Sequence, residues 1–119
     1  MKILIVDDEY VIRHGCRMIL EEQGYTVETT ATCGEAIDAV SSNAYDLVLL
    51  DLKLPDRDGT ELFKAVPRGI NGYPRIIVMS GYINLRNNMS AVDQARFDFL
   101  PKPFTDEELL AAVEQNTMG

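Results

Sequence analysis

The hydrophobic positions of this chain fall into short runs that polar stretches separate. Four of the runs have strand length and are mostly aliphatic or aromatic, as expected for strands buried on both faces of a parallel sheet. They cover residues 3–6, 47–50, 76–79 and 97–100. A fifth run, residues 25–29, alternates between apolar and polar side chains and therefore predicts an edge strand.

Between these runs, apolar residues recur at the spacing of helices that bury one face. Residues 85–95 are polar and only weakly patterned, and a further helix is predicted there. Two helix starts carry capping boxes, Thr32 with Glu35 and Thr105 with Glu108, in which a hydroxyl and a carboxylate satisfy backbone donors reciprocally. The patterned positions are Val11, Ile12, Met18 and Ile19; Ala36, Ile37 and Val40; Leu62, Phe63 and Val66; and Leu109, Leu110 and Val113.

Strands and helices alternate along the whole chain. This order indicates right-handed crossovers and an open parallel sheet with helices on both faces. We therefore predict a flavodoxin-like α/β fold, a (βα)5 three-layer sandwich whose five-stranded parallel sheet has the order 2-1-3-4-5. The chain has 119 residues, which suits one domain over residues 1–119.

Composition narrows the possible partners and compartment. Eleven Lys and Arg against nineteen Asp and Glu give a formal charge of −8, which disfavours direct nucleic-acid binding and anionic lipid. The apolar runs are far shorter than the ~20 residues that a membrane span needs. Asp7 interrupts the first run too early for a secretory signal, so a cytoplasmic location is expected. Cys16 and Cys33 have no metal-site spacing and are predicted to be packing residues.

Chemically active side chains follow the predicted strands at the points where the strands end. Asp7 and Asp8 follow the first strand, Asp51 the third and Ser80 the fourth, and Lys102 lies just past the fifth. Open α/β sheets bind ligands outside these ends, at the point where strand order reverses, so the three carboxylates should converge.

Carboxylates this close need a cation. Oxygen ligands without His or Cys favour Mg²⁺, or Mn²⁺, over zinc. A metal, a lysine and a hydroxyl around one carboxylate suit phosphoryl transfer, with Asp51 as the nucleophile.

These residues, together with Pro55 and Gly59, resemble the receiver domain of two-component response regulators, and the resemblance covers essentially the whole chain. It implies that Mg²⁺ is bound directly by Asp8, Asp51 and the backbone carbonyl of Lys53, and largely through water by Asp7. It also implies that Ser80 and Lys102 contact phosphoryl oxygens and that the Lys102–Pro103 peptide bond is cis.

The resemblance further implies a switch. A sensor histidine kinase or a histidine phosphotransfer protein would supply the phosphoryl group. Ser80 and the aromatic residue Phe99 would then reshape the face formed by residues 85–95, the fifth strand and the last helix. Lys53 and Tyr82 occupy the positions that tune dephosphorylation. The only catalysis implied is self-phosphorylation and self-dephosphorylation, and the output domain or target protein is unknown.

Two other functions remain open at this point. A haloacid-dehalogenase-like Mg²⁺-dependent phosphatase also uses an aspartate nucleophile at a strand end. That family needs a second Asp two residues later, where this chain has Lys53. A flavodoxin-like electron carrier would leave three acidic residues where an anionic flavin phosphate binds.

Overall fold

Five parallel strands form one sheet in the order β2-β1-β3-β4-β5 within the part of the chain that the structure describes. The structure is a computed structural model, which describes residues 1–57, 59, 61–65, 74–79 and 97–117. The predicted fold class and strand order are confirmed. The strands are β1 (Lys2–Val6), β2 (Thr26–Thr30), β3 (Leu47–Leu50), β4 (Arg75–Val78) and β5 (Phe97–Phe99).

Four helices accompany the sheet in the described residues: α1 (Tyr10–Glu22), α2 (Cys33–Ser42), α3 (Glu61–Ala65) and α4 (Asp106–Thr117). The helix predicted over residues 85–95 lies outside the described residues. None of the described helices is long and apolar enough to cross a bilayer.

The sheet divides the core into two layers because successive side chains of a strand point to opposite faces. Leu4 and Val6 of β1 pack with α2 and α3, whereas Ile3 and Ile5 pack with α1 and α4. Cys33 is buried in the first layer and Cys16 in the second, so the prediction that both are packing residues is confirmed.

The buried face of α1 differs from the predicted one. Val11 is 78% exposed and Met18 is 51% exposed, so their assignment to the apolar face is wrong. Cys16 and Leu20 are the buried residues of this helix, with Ile12 and Ile19 partly buried beside them. Val11 and Met18 are seven residues apart and lie on a neighbouring stripe of the helix, about 100° from the stripe of Ile12 and Ile19.

The capping box predicted at α4 forms, whereas the one predicted at α2 forms only in part. At α4 the Glu108 N–H donates to Thr105 Oγ1 at 3.1 Å, and the Thr105 N–H donates to Glu108 Oε1 at 3.0 Å. At α2 the Glu35 N–H donates to Thr32 Oγ1, whereas the Glu35 carboxylate accepts from the N–H of Ala31 instead of that of Thr32.

Candidate functional site

The two central acidic residues continue the hydrogen-bond ladder of the sheet by one residue. The Asp51 N–H donates to the Val6 carbonyl at 2.8 Å, and the Asp7 N–H donates to the Thr30 carbonyl at 3.2 Å. Val6 and Leu50 point into the layer of α2 and α3, so the next residue of each strand points to the opposite face. Asp7 is fully buried and Asp51 is 6% exposed, which places two largely buried carboxylates in the same cluster.

Lys102 joins these two carboxylates. Its ammonium nitrogen lies 2.6 Å from Asp7 Oδ2, 3.2 Å from Asp51 Oδ2 and 3.4 Å from Glu9 Oε1. Burial by itself would lower the pKa of Lys102. The hydrogen bond and charge of Asp7, together with Asp51, outweigh that effect and raise the pKa above its ordinary value. Lys102 is therefore a cation bound between two buried acids.

The Lys102–Pro103 peptide bond is cis, as the resemblance implies.

Asp7 also organises the start of α1. Its Oδ1 accepts the Glu9 N–H at 2.9 Å, while its backbone carbonyl accepts a hydrogen bond from Arg13 Nη1 at 2.8 Å. Both carboxylate oxygens of Asp7 thus have a donor, Glu9 on one side and Lys102 on the other.

Asp51 carries a shifted pKa. Burial raises the pKa of its carboxyl group above the usual value, and the negative charge of Asp7 adds to this effect. The Lys53 N–H, which donates to Asp51 Oδ1 at 3.0 Å, and the charge of Lys102 oppose it without cancelling it. A buried carboxylate that is costly to ionise gains from any further cation or group that neutralises it.

Gly59 holds the segment after β3 against the strand end. Its N–H donates to the Leu52 carbonyl at 3.0 Å. A Cβ at this position would lie 2.8 Å from Leu52 Cα and 2.9 Å from the Asp51 carbonyl oxygen, which is closer than real Cβ atoms approach other atoms. Only a glycine permits this backbone packing directly beneath Asp51.

Four acidic side chains meet at this edge of the sheet. One carboxylate oxygen from each of Asp7, Asp8, Glu9 and Asp51 lies within 4.8 Å of the others. Asp8 and Glu9 are exposed, so the cluster opens to solvent on one side. Carboxylate oxygens alone are the donor set of a hard cation, and the cluster could therefore hold a divalent ion such as Mg²⁺.

The structure brings together Asp7, Asp8, Asp51 and Lys102, four of the five residues that were predicted to meet at the strand ends. It adds Glu9, which the sequence reasoning missed. The position of Glu9 directly after Asp7 and Asp8 was the signal in the sequence that could have identified it. Glu9 is the residue just before α1 and contacts Lys102.

The remaining predicted site residues are placed as follows. The backbone N–H of Lys53 contacts Asp51, and its side chain is exposed. Phe99 is half-buried and packs against the core layer of α2 and α3. Ser80 and Tyr82 lie outside the described residues.

Comparison with known proteins identifies the family. Residues 3–114 match the model of the response regulator receiver domain. The chain is 35% identical over 113 residues to response regulator MprA of Mycobacterium sp. strain KMS, covering 95% of this chain and 49% of that protein. The same protein of Mycobacterium tuberculosis strain CDC 1551 / Oshkosh gives the same identity and coverage. The chain therefore spans about half the length of the curated relatives it matches.

Solved structures agree. A CheY-like receiver domain protein from Methanospirillum hungatei JF-1 superposes with a TM-score of 0.82 at 34% identity, covering 96% of this chain and 90% of that one. The receiver domain of the hybrid histidine kinase CckA gives a TM-score of 0.78 at 30% identity, with 98% of both chains covered. These matches give no support to the phosphatase alternative. The chain belongs to the response regulator receiver domain family of two-component systems.

Proposed function

We propose that this receiver domain is a phosphorylation-controlled switch that accepts a phosphoryl group on Asp51 from a sensor histidine kinase or a histidine phosphotransfer protein. The observation that carries the proposal is the position of the Lys102 ammonium group, which contacts Asp51 Oδ2 at 3.2 Å while Asp7 holds it at 2.6 Å. A cation beside a nucleophilic carboxylate is placed to contact the phosphoryl oxygens during transfer.

In the proposed reaction, an Asp51 carboxylate oxygen forms a bond to phosphorus while the bond from phosphorus to the donor histidine nitrogen breaks. The imidazole leaves with the electron pair of that bond. If the other ring nitrogen of the phosphohistidine already carries a proton, the departing imidazole is neutral and needs no further proton transfer. Burial disfavours free negative charge on Asp51, and the pKa of its carboxyl group is accordingly raised. Lys102 then serves as an electrostatic partner of the new phosphoryl group, and Ser80 is proposed as a second contact.

A divalent ion, Mg²⁺ or Mn²⁺, is the proposed cofactor. We assign Asp8, Asp51 and the Lys53 backbone carbonyl as direct ligands and Asp7 as a ligand through water. The oxygen-only donor set of the acidic cluster supports this assignment. When bound, such an ion neutralises charge on the phosphoryl oxygens.

The proposed output involves Ser80 and Phe99. Movement of Ser80 toward the phosphoryl group would free space for Phe99, whose ring lacks the hydroxyl of a tyrosine and would settle by packing alone. The face formed by residues 85–95, β5 and α4 would then bind an output domain or target protein differently. The half-buried position of Phe99 is compatible with either orientation.

Mass spectrometry after incubation with acetyl phosphate and Mg²⁺ tests the proposal. We expect one phosphoryl adduct on the wild type, mapped to Asp51, and none on that residue in Asp51→Asn. Asp38→Asn, which alters an exposed carboxylate on α2, should keep the adduct and serves as the control. An adduct retained in Asp51→Asn and mapped to another carboxylate would contradict the assignment of Asp51.

A further inference from the structure

A carboxylate outside the acidic cluster ties the segment after Asp51 to helix α2. Asp56 Oδ1 accepts the Cys33 N–H at 2.9 Å, and Asp56 Oδ2 accepts the Gly34 N–H at 2.9 Å. These are the first two N–H groups of α2, which have no partner within the helix. The hydrogen bond from the Gly34 N–H, followed by the one from the Cys33 N–H, is the main cause that holds the pKa of Asp56 below its usual value.

This contact is separate from the helix's own cap. Thr32 already caps α2 by accepting the Glu35 N–H, so the helix has a local start signal without Asp56. The bonds from Asp56 instead join residues 23 and 22 positions apart in the chain. These hydrogen bonds therefore connect the segment after β3 to the N-terminus of α2.

Gly34 makes room for the contact. A Cβ at this position would lie 3.3 Å from Asp56 Oδ2 and 3.6 Å from Arg57 Nη2. Glycine is otherwise a poor residue inside a helix. A methyl group at the second position of α2 would require the Asp56 carboxylate to move by a few tenths of an ångström.

Asp56 belongs to the segment that follows β3. The base of this segment, next to Asp51, is already held by two hydrogen bonds. The base is closed by the bond from the Gly59 N–H to the Leu52 carbonyl and by the bond from the Lys53 N–H to Asp51 Oδ1. Lys53 takes part in that base through its N–H, and its carbonyl begins the stretch that leads to Asp56. Anchoring both ends restricts the orientation of the Lys53 peptide carbonyl, which is the proposed metal ligand.

We infer that Asp56 is a positioning residue of the phosphoryl-acceptor site, which holds residues 51–57 on the N-terminus of α2 and so presets the Lys53 carbonyl beside the Asp51 carboxylate for a divalent cation. The inference rests on the proposed function. Residues that orient a metal ligand typically change metal affinity by about 10- to 100-fold when they are lost.

The test is titration of the whole chain with MgCl2, followed by the backbone amide chemical shifts. We expect Asp56→Ala to weaken Mg²⁺ binding about tenfold. Asp56→Asn keeps one acceptor oxygen and should fall between Asp56→Ala and the wild type. Asp38→Ala removes an exposed carboxylate of α2 that is not part of the acidic cluster, and it should bind Mg²⁺ within about twofold of the wild type because solvent and salt screen exposed charges. Both variants lose the negative charge of Asp56. If they bind Mg²⁺ with equal affinity, the loss of charge alone explains the weaker binding, and the inference is overturned.

A second variant tests the contact without changing any charge. Gly34→Ala places a methyl group against Asp56 Oδ2 and should weaken Mg²⁺ binding in the same direction. If Asp56→Ala does not fold, Asp56→Asn and Gly34→Ala decide the question. Wild-type affinity in these variants overturns the inference and leaves the proposed function intact. A wild-type protein that does not bind Mg²⁺ overturns the proposed metal site itself.

Discussion

Lys102 Nζ lies 2.6 Å from Asp7 Oδ2, closer than it lies to the proposed phosphoryl acceptor. The Asp7 side chain is fully buried, and its other oxygen is held by the Glu9 N–H. Asp7 is therefore the fixed anchor of the lysine, and the contact with Asp51 is the one that can be exchanged. A new phosphoryl group on Asp51 would meet an ammonium group that is already in position.

Lys102→Ala should lower the free energy of unfolding by about 2 kcal/mol in the absence of divalent ions, because it leaves two buried acids without their cation. This figure lies below that for a fully buried pair because 21% of the lysine side chain is exposed. Urea denaturation in EDTA measures the change. Lys2→Ala, which breaks a surface pair with Glu28, should cost less than about 1 kcal/mol. Equal costs for the two variants would show that Lys102 contributes no more than a surface charge.

Mg²⁺ should raise the thermal midpoint of the wild type, because the proposed site exists only in the folded state, where Asp7, Asp8 and Asp51 are assembled. Ligand linkage gives ~2.7 kcal/mol at a hundredfold excess over the dissociation constant. Asp8→Ala should abolish this response while leaving the metal-free midpoint unchanged or higher. Glu22→Ala, at the far end of α1, should retain the full response. A full response in Asp8→Ala would place the metal elsewhere.

The pH dependence of stability should report the raised pKa of Asp51. A carboxyl group with a higher pKa in the folded state than in the unfolded state binds its proton more tightly when folded. Its ionisation therefore costs stability as pH rises through that pKa. Asp51→Asn should unfold at a higher temperature than the wild type at about pH 7, and the gap should narrow toward about pH 4. A gap that is constant over this range would mean that Asp51 titrates normally.

Gly59→Ala should be strongly destabilising, by about 2 kcal/mol or more, because the added methyl group collides with backbone atoms of Leu52 and Asp51. Gly15→Ala is the matched control, since its Cβ meets nothing within 4 Å in the middle of α1. That substitution should stabilise the fold by about 1 kcal/mol through helix propensity. Thermal melts of both variants check the opposite signs. Similar stability of the two would contradict the close approach at Gly59.

The aspartyl phosphate should decay slowly in the wild type. The exposed Lys53 side chain can pair with the phosphoryl group, and neither Lys53 nor Tyr82 carries a carboxylate or amide that would orient an attacking water. Lys53→Asn and Tyr82→Glu should each accelerate the loss of phosphate, whereas Lys2→Asn should not. Following the phosphoprotein after removal of the donor gives these rates. Unchanged or slower decay in the double variant would refute this account.

The sequence predicted the parts of the site that depend only on strand pattern and topology. Asp7, Asp51 and Lys102 follow buried strands, and parallel strands bring their carboxyl ends to one edge. The contacts of Glu9 and Asp56 depend on how the chain turns after a strand, and the pattern of apolar residues carries no information about that. Asp56 meets Cys33 across 23 residues, which no local spacing reveals. The buried face of α1 was also misassigned. The small residue Cys16 is buried, whereas the more apolar Val11 is exposed.

The hydrogen bond from the Asp51 N–H to the Val6 carbonyl has a consequence for local opening of the sheet. The Asp51 amide extends the ladder between β1 and β3 by one rung, and the Asp7 amide extends the ladder between β1 and β2 by one rung. The Asp51 amide proton, which lies between two interior strands, should therefore exchange with solvent more slowly than the Asp7 amide proton, which is bound to the edge strand β2. Local opening at the edge strand should accordingly release the anchor of Lys102 before it releases the proposed phosphoryl acceptor.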